Sequence, residues 1–168
     1  IKRVVFPDNN VTYNRLLSEG NVIGSTSRVL IRKKIFMKAG GFDEKLSSFQ
    51  DYDLWIRMSK ISNVVHDNCC GVIYTVHEHG TQISSNFNKY LKSGLYLYQK
   101  YQGELIRLRA VNKFMASIYM RVSLSSTSSS EYIKCKYALL SFIKSPSIKA
   151  IMLMIVPAFV LRRLFKFA

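Results

Sequence analysis

Acidic residues are scarce in this chain: 10 Asp and Glu stand against 25 Lys and Arg, a formal net charge of +15 over 168 residues. So large an imbalance favours an anionic partner, which leaves nucleic acid, an anionic membrane surface or a phosphorylated substrate. Cysteine is also rare. Cys69 and Cys70 are neighbours, Cys135 stands alone, and no repeated CxxC with partner histidines is present. That pattern excludes a disulfide framework and a cysteine zinc site, and it predicts free thiols in a reducing, cytoplasmic setting. The chain starts Ile1-Lys2-Arg3-Val4-Val5, with no initiator methionine and no signal-peptide architecture, so a fragment of a longer polypeptide is expected. Composition is not that of a disordered chain either, since 48% of the residues are hydrophobic and a packed core is within reach.

Long hydrophobic runs are limited to one, AIMLMIVPAFVL at residues 150–161, bounded by Lys149 and by Arg162-Arg163. As a helix it would span about 18 Å, well short of a bilayer core of ~30 Å, so it does not read as a transmembrane segment. It is either a buried helix of the tail or an interfacial anchor with basic ends at lipid headgroups, and the net charge with the terminal LRRLFKFA favours the anchor. A nucleic-acid surface would need basic residues interleaved with exposed aromatics in a recognisable module. Residues 104–121 supply charge but no such module, so no nucleic-acid partner is expected.

Residues 8–22 are polar and turn-prone. Val29 and Ile31 alternate with polar neighbours, which suits a short strand over 27–32. A short helix over 33–39 ends at Gly40-Gly41, and Asp43 suits the cap of a turn at 44–46. Over 51–60 the spacing is helical: Asp51, Leu54, Trp55 and Met58 share one face, while Asp53 and Arg57 form an i, i+4 pair on another. Apolar runs at 63–66 and 71–77 read as strands. After about residue 84 the character is helical: mixed helical spacing at 90–101, a basic helix at 104–124, a serine-rich linker at 125–130, then a helix at 131–144. Ser145-Pro146-Ser147 introduces a last helix by cap and early proline. No internal repeat is visible. Two regions are expected: an α/β region over 1–88 and a basic helical region over 89–168.

Chemistry concentrates between residues 24 and 57. Gly24-Ser25-Thr26-Ser27 is followed by Leu30-Ile31-Arg32-Lys33, Gly40-Gly41-Phe42-Asp43 and Gln50-Asp51-Tyr52-Asp53-Leu54-Trp55-Ile56-Arg57. A further piece, Tyr74-Thr75-Val76-His77 with Gln82-Ile83-Ser84, lies downstream. In order and spacing, residues 21–84 resemble the C-terminal half of the GT-A domain of family 2 glycosyltransferases. The resemblance implies an α/β, Rossmann-like fold cut at its N-terminus and followed by a mainly α-helical tail. It implies transfer of a sugar, with inversion, from a nucleotide-sugar donor to a glycan or polyprenyl-linked acceptor in cell-surface polysaccharide synthesis, at the cytoplasmic face of the bacterial inner membrane. Inverting transfer needs a base that takes the acceptor hydroxyl's proton, and a carboxylate at a helix N-terminus stays ionised there. The resemblance gives that role to Asp51. It sets Gly40, Gly41 and Phe42 beside the acceptor. Trp55 is either a stacking surface for the acceptor sugar or a core residue. His77 is either a metal or diphosphate ligand, as in some relatives, or an exposed loop histidine.

Two positions depart from the family pattern: Thr75 stands where an Arg is usual, and Gln50 where Glu is more common. Family members hold a divalent cation, Mg or Mn, with an Asp-x-Asp motif in an N-terminal half. No such motif precedes Gly24, and no Gly-rich phosphate loop is present. Asp53 with Arg57 reads as a structural pair on the helix surface. The alternative to a transferase is a non-catalytic remnant, or a membrane-surface module that keeps the fold without the reaction.

Overall fold

The structure is a computed structural model that describes residues 11–65 and 86–161. The chain divides into two compact units, Ile1–Thr75 and Val76–Ala168, and each is treated by itself.

In the first unit, α1 (Tyr13–Glu19) forms where the sequence reads only as polar and turn-prone. Thr12 caps it, its hydroxyl accepting from the Arg15 amide at 3.2 Å, and Arg15 pairs with Glu19 one turn on at 2.8 Å. Its apolar content is the adjacent pair Leu16 and Leu17, both fully buried. Two residues in seven are too few to register as a helical period, which is why the sequence hides this helix. A 3-10 turn (Thr26–Arg28), α2 (Lys33–Lys38) and α3 (Gln50–Ser59) follow.

The unit packs around α3. Tyr52, Asp53, Leu54, Trp55 and Ile56 are all buried, so this helix is enclosed nearly all round instead of along one stripe. The Tyr52 hydroxyl donates to the Leu16 carbonyl at 2.6 Å and locks α3 to α1. Burial pushes the Tyr52 phenol well above its ordinary range, so it remains a donor.

The expected strands are not realised among the described residues, which hold helices and one isolated antiparallel bridge, Val11 to Val64. Val29 (φ −125°, ψ 132°) and Arg32 (φ −68°, ψ 122°) are extended, as the alternation predicts, but they carry no ladder. A strand needs a neighbouring segment for its N–H and C=O groups, and one segment's periodicity cannot supply it. The expected strand at 71–77 lies outside the described residues.

In the second unit, α4 (Phe87–Arg107) and α5 (Val111–Ser126) replace the anticipated break near residue 102 with one at 108–110. Arg109 takes a left-handed conformation (φ 52°), and the Ala110 amide reaches back to the Leu105 carbonyl at 2.9 Å. This is a helix stop built without glycine, so the sequence carries no signal for it. α6 (Glu131–Lys144) falls where the pattern predicts, capped by Ser130, whose hydroxyl accepts from the Ile133 amide. The α5–α6 contact is lined with small residues and serine bonds: Ser141 donates to the Ala116 carbonyl at 2.9 Å and Ser123 to the Lys134 carbonyl at 2.8 Å.

The apolar tail is not one continuous helix. α7 (Ile148–Ile155) stops at Val156, and a fresh turn begins after Pro157, whose ring removes an amide and blocks the helix from continuing. Lys134, fully buried, bridges the break: its ammonium donates to Glu131 and to the Val156 carbonyl at 2.6 Å. The other Glu131 oxygen accepts from the Ala158 amide at 3.0 Å. No described helix is long and apolar enough to cross a membrane.

α4 and α5 meet at Gly94, where a built Cβ would run into the Ile118 side chain. Ile118 is buried and β-branched, with little freedom to move aside in a helix. Gly94→Ala is expected to destabilise by about 1–3 kcal/mol. Gly103→Ala on the same helix meets nothing within 4 Å and should instead stabilise by about 0.4–1 kcal/mol. Urea unfolding of the two variants checks the pair, and equal effects would contradict this packing.

Candidate functional site

The first unit joins the motif segments through side chains of α3. Two glycines make the first half of the arrangement. After α2, the Gly40 amide bonds the Met37 carbonyl at 3.0 Å and the Gly41 amide the Phe36 carbonyl at 3.1 Å. Both glycines are left-handed, with φ of 83° and 66°, a conformation that side chains resist. The turn they form leaves the carbonyls of Ala39 and Gly41 aimed at α3. Arg57 meets them: Nη1 donates to Ala39 and Nη2 to Gly41 at 2.7 Å, while Nε donates to Asp53 Oδ2 at 2.8 Å.

Asp53 and Arg57 are therefore not the exposed surface pair that their spacing suggests. The Asp53 side chain is fully buried and that of Arg57 is only 20% exposed. The carboxylate neutralises and orients the guanidinium, and the planar fork fixes the glycine turn from both sides. The i, i+4 spacing is legible in sequence, but the two backbone carbonyls are not.

Asp51 has a different environment. Phe49, just before α3, sits in the left-handed region at φ 61°, which a large aromatic adopts only when its surroundings impose it. Its carbonyl accepts from the Asp53 amide at 2.9 Å, the first bond of the helix, and its ring packs edge-on to Tyr52 at 6.1 Å. Asp51 then falls in the first turn, half-buried, with Oδ1 accepting from the Tyr52 amide at 2.7 Å. First-turn amides and the helix dipole favour an anion there. Two carboxylates two residues apart thus differ in kind: Asp51 reaches solvent and Asp53 does not.

Of the residues expected beside an acceptor, Gly40 and Gly41 form the clamped turn and Phe42 follows it, 45% exposed, with its ring edge on Phe36 at 5.6 Å. Of the two readings of Trp55, the core one holds in the structure. Trp55 is 2% exposed and its Nε1 donates to the Gly24 carbonyl at 2.9 Å, so its ring is core and offers no open face to a sugar. Through that bond Trp55 anchors the Gly24 turn, where the Gly24 amide also bonds Asn21 Oδ1 at 2.9 Å. Sequence reasoning passed over Asn21, although Asn-x-x-Gly is a turn signal. It also passed over Phe49 and Tyr52, whose contributions are a strained backbone and a tertiary hydrogen bond.

His77 lies outside the described residues. Among the described residues no group of three His, Cys, Asp or Glu could hold a metal ion. Asp51 and Asp53 do not make a chelating pair, because Asp53 is buried on Arg57. An open depression of about 440 Å³ near Thr12, Ser59 and Asn63 lies at the far end of α3 from Asp51.

The profile of a family described as "Glycosyltransferase like family 2" matches residues 3–112. No curated protein and no solved structure matches the chain. The matched stretch contains the glycine turn, Asp51, Asp53 and Arg57, and it runs past the end of α4 into α5.

If the Asp53–Arg57 pair holds this turn from a buried position, Asp53→Asn should cost about 1.5–3 kcal/mol, the range for a hydrogen bond to a charged group. An exposed i, i+4 pair would cost no more than about 0.5 kcal/mol. Denaturant titration of the variant distinguishes the two, and a loss under the smaller figure would contradict the clamp.

Proposed function

The chain belongs to the glycosyltransferase-like family 2, and on that premise we propose that it carries the acceptor side of a sugar transfer, with Asp51 as general base. Asp51 takes the proton of an acceptor hydroxyl as that oxygen attacks the anomeric carbon. The bond from the anomeric carbon to the donor's diphosphate breaks, the nucleoside diphosphate leaves with the electron pair, and the configuration inverts. The acceptor is a glycan or a lipid-linked glycan. The clamped Gly40-Gly41 turn and the exposed ring of Phe42 line its approach.

One observation supports the assignment above all: of the two carboxylates in the motif, Asp51 is half-buried whereas Asp53 is fully buried against Arg57. The family match and the first-turn position of Asp51 support the same choice. Arg57 is a positioning residue in this reading, acting through the backbone of the glycine turn. The α/β GT-A architecture, the nucleotide-sugar donor and a divalent cation belong to the proposal as well. Among the described residues no group of three His, Cys, Asp or Glu could hold such a cation.

Asp51→Asn preserves size and the hydrogen bond to the Tyr52 amide, yet it cannot accept a proton at neutral pH. Turnover of a nucleotide-sugar in the presence of acceptor is expected to fall about 10²–10⁴-fold, with the melting temperature unchanged. A merely structural first-turn Asp would tolerate Asn, itself a good residue at helix starts. Near-normal turnover in the variant would remove Asp51 from the reaction.

A further inference from the structure

Near its C-terminal end the second unit carries an apolar stripe that is exposed among the described residues. On α7, Ile148, Ile151, Met152 and Ile155 follow the i, i+3, i+4, i+7 spacing of one helix face, and all four are exposed, Ile148 at 78% and Ile155 at 73%. Phe159, in the turn beyond Pro157, is exposed at 68%. The opposite face is occupied: Ala150, Leu153, Ala158 and Leu161 are buried, and Leu153 and Leu161 pack with Ala138 of α6. The helix is thus apolar on both sides, with the core using only one.

Charge identifies what suits the other side. From Tyr132 to Ala168 the sequence has no Asp or Glu but has Lys134, Lys136, Lys144, Lys149, Arg162, Arg163 and Lys166. Lys144 and Lys149 are exposed at the start of the stripe. An apolar face flanked by Lys144 and Lys149, with the nearby Glu131 paired to Lys134, matches the boundary between anionic headgroups and acyl chains. Pairing two copies across this face would instead bring like charges together in a chain that already carries +15. The helix is eight residues long, about 12 Å, so it can lie in that boundary but cannot span it.

We infer that the outward face of α7, continued by Phe159, docks the protein on an anionic lipid surface. The aliphatic side chains enter the acyl boundary while Lys144 and Lys149 stay level with the lipid phosphates. The inward face remains on α6, held by the Lys134 and Glu131 bonds to the chain on either side of Pro157. This inference does not depend on the transfer reading, and it is tested without turnover.

The full 168-residue chain is sedimented with vesicles of phosphatidylglycerol and phosphatidylcholine, and with phosphatidylcholine alone. The expected result is binding to the anionic vesicles that is at least about 10-fold tighter than to the neutral ones and weakens as salt is raised. Ile148→Asp with Ile155→Asp should lower anionic-vesicle binding by a further 10-fold or more, with an unchanged melting curve since both positions are exposed. Lys144→Glu with Lys149→Glu should reduce the preference for anionic over neutral vesicles. The inference is overturned by no binding to anionic vesicles, by equal binding to both kinds, or by binding that the isoleucine variant leaves intact. A concentration-dependent dimer in analytical ultracentrifugation, abolished by the same isoleucine pair, would overturn it in favour of a second copy as the occupant.

Discussion

One planar cation, the guanidinium of Arg57, faces three oxygens at once: an Asp53 carboxylate oxygen and the carbonyls of Ala39 and Gly41. Two of those oxygens belong to a turn that only left-handed glycines make easily, and the third belongs to a carboxylate with no access to water. Each part needs the others. A buried carboxylate without the cation would be an uncompensated charge, and the carbonyls on either side of Gly40 would lose their shared donor. The result joins two segments of sequence, Gly40-Gly41 and residues 51–57, into one rigid arrangement.

The consequence for chemistry is a separation of two similar residues. Asp51 and Asp53 are two positions apart on a helix, so they point in different directions, roughly 200° around the axis. One direction leads into the interior and to Arg57, the other to the first-turn amides and solvent. A charge meant to accept a proton needs contact with the donor of that proton, whereas a charge meant to hold a turn needs to be shielded from competition by water. The helix that carries both begins directly after the left-handed backbone of Phe49.

Much of this was legible beforehand, and the failures have physical causes. α2, α3 and α6 follow from spacing and from Gly40-Gly41, and the turn at Asp43 from its side chain, whose Oδ1 accepts from the Lys45 amide at 3.1 Å. Asp51 at a helix start was readable because it depends on local sequence. Its role in transfer is still the proposal, supported by the match to the family over residues 3–112. What stayed hidden depends on distant partners: the burial of Asp53, the inward turn of Trp55 towards Gly24, and the lock between Tyr52 and Leu16. Of the strand anticipated over 27–32, Val29 and Arg32 are extended but unpaired, because ladders are a property of two segments, while Ser27 and Arg28 belong to a 3-10 turn. In the tail, Pro157 sat in plain view within an apolar run whose hydrophobicity outweighed it in the reading.

The claim on which the rest depends is that Asp51 is open to reagents and Asp53 is sealed by Arg57. Carbodiimide labelling of carboxylates, read by mass spectrometry on the intact folded protein, measures this directly. The account predicts rapid modification at Asp51 and protection at Asp53, with Asp53 becoming reactive only on unfolding or when Arg57 is replaced by Ala. Modification of Asp53 at the same rate as Asp51 in the folded protein would contradict it.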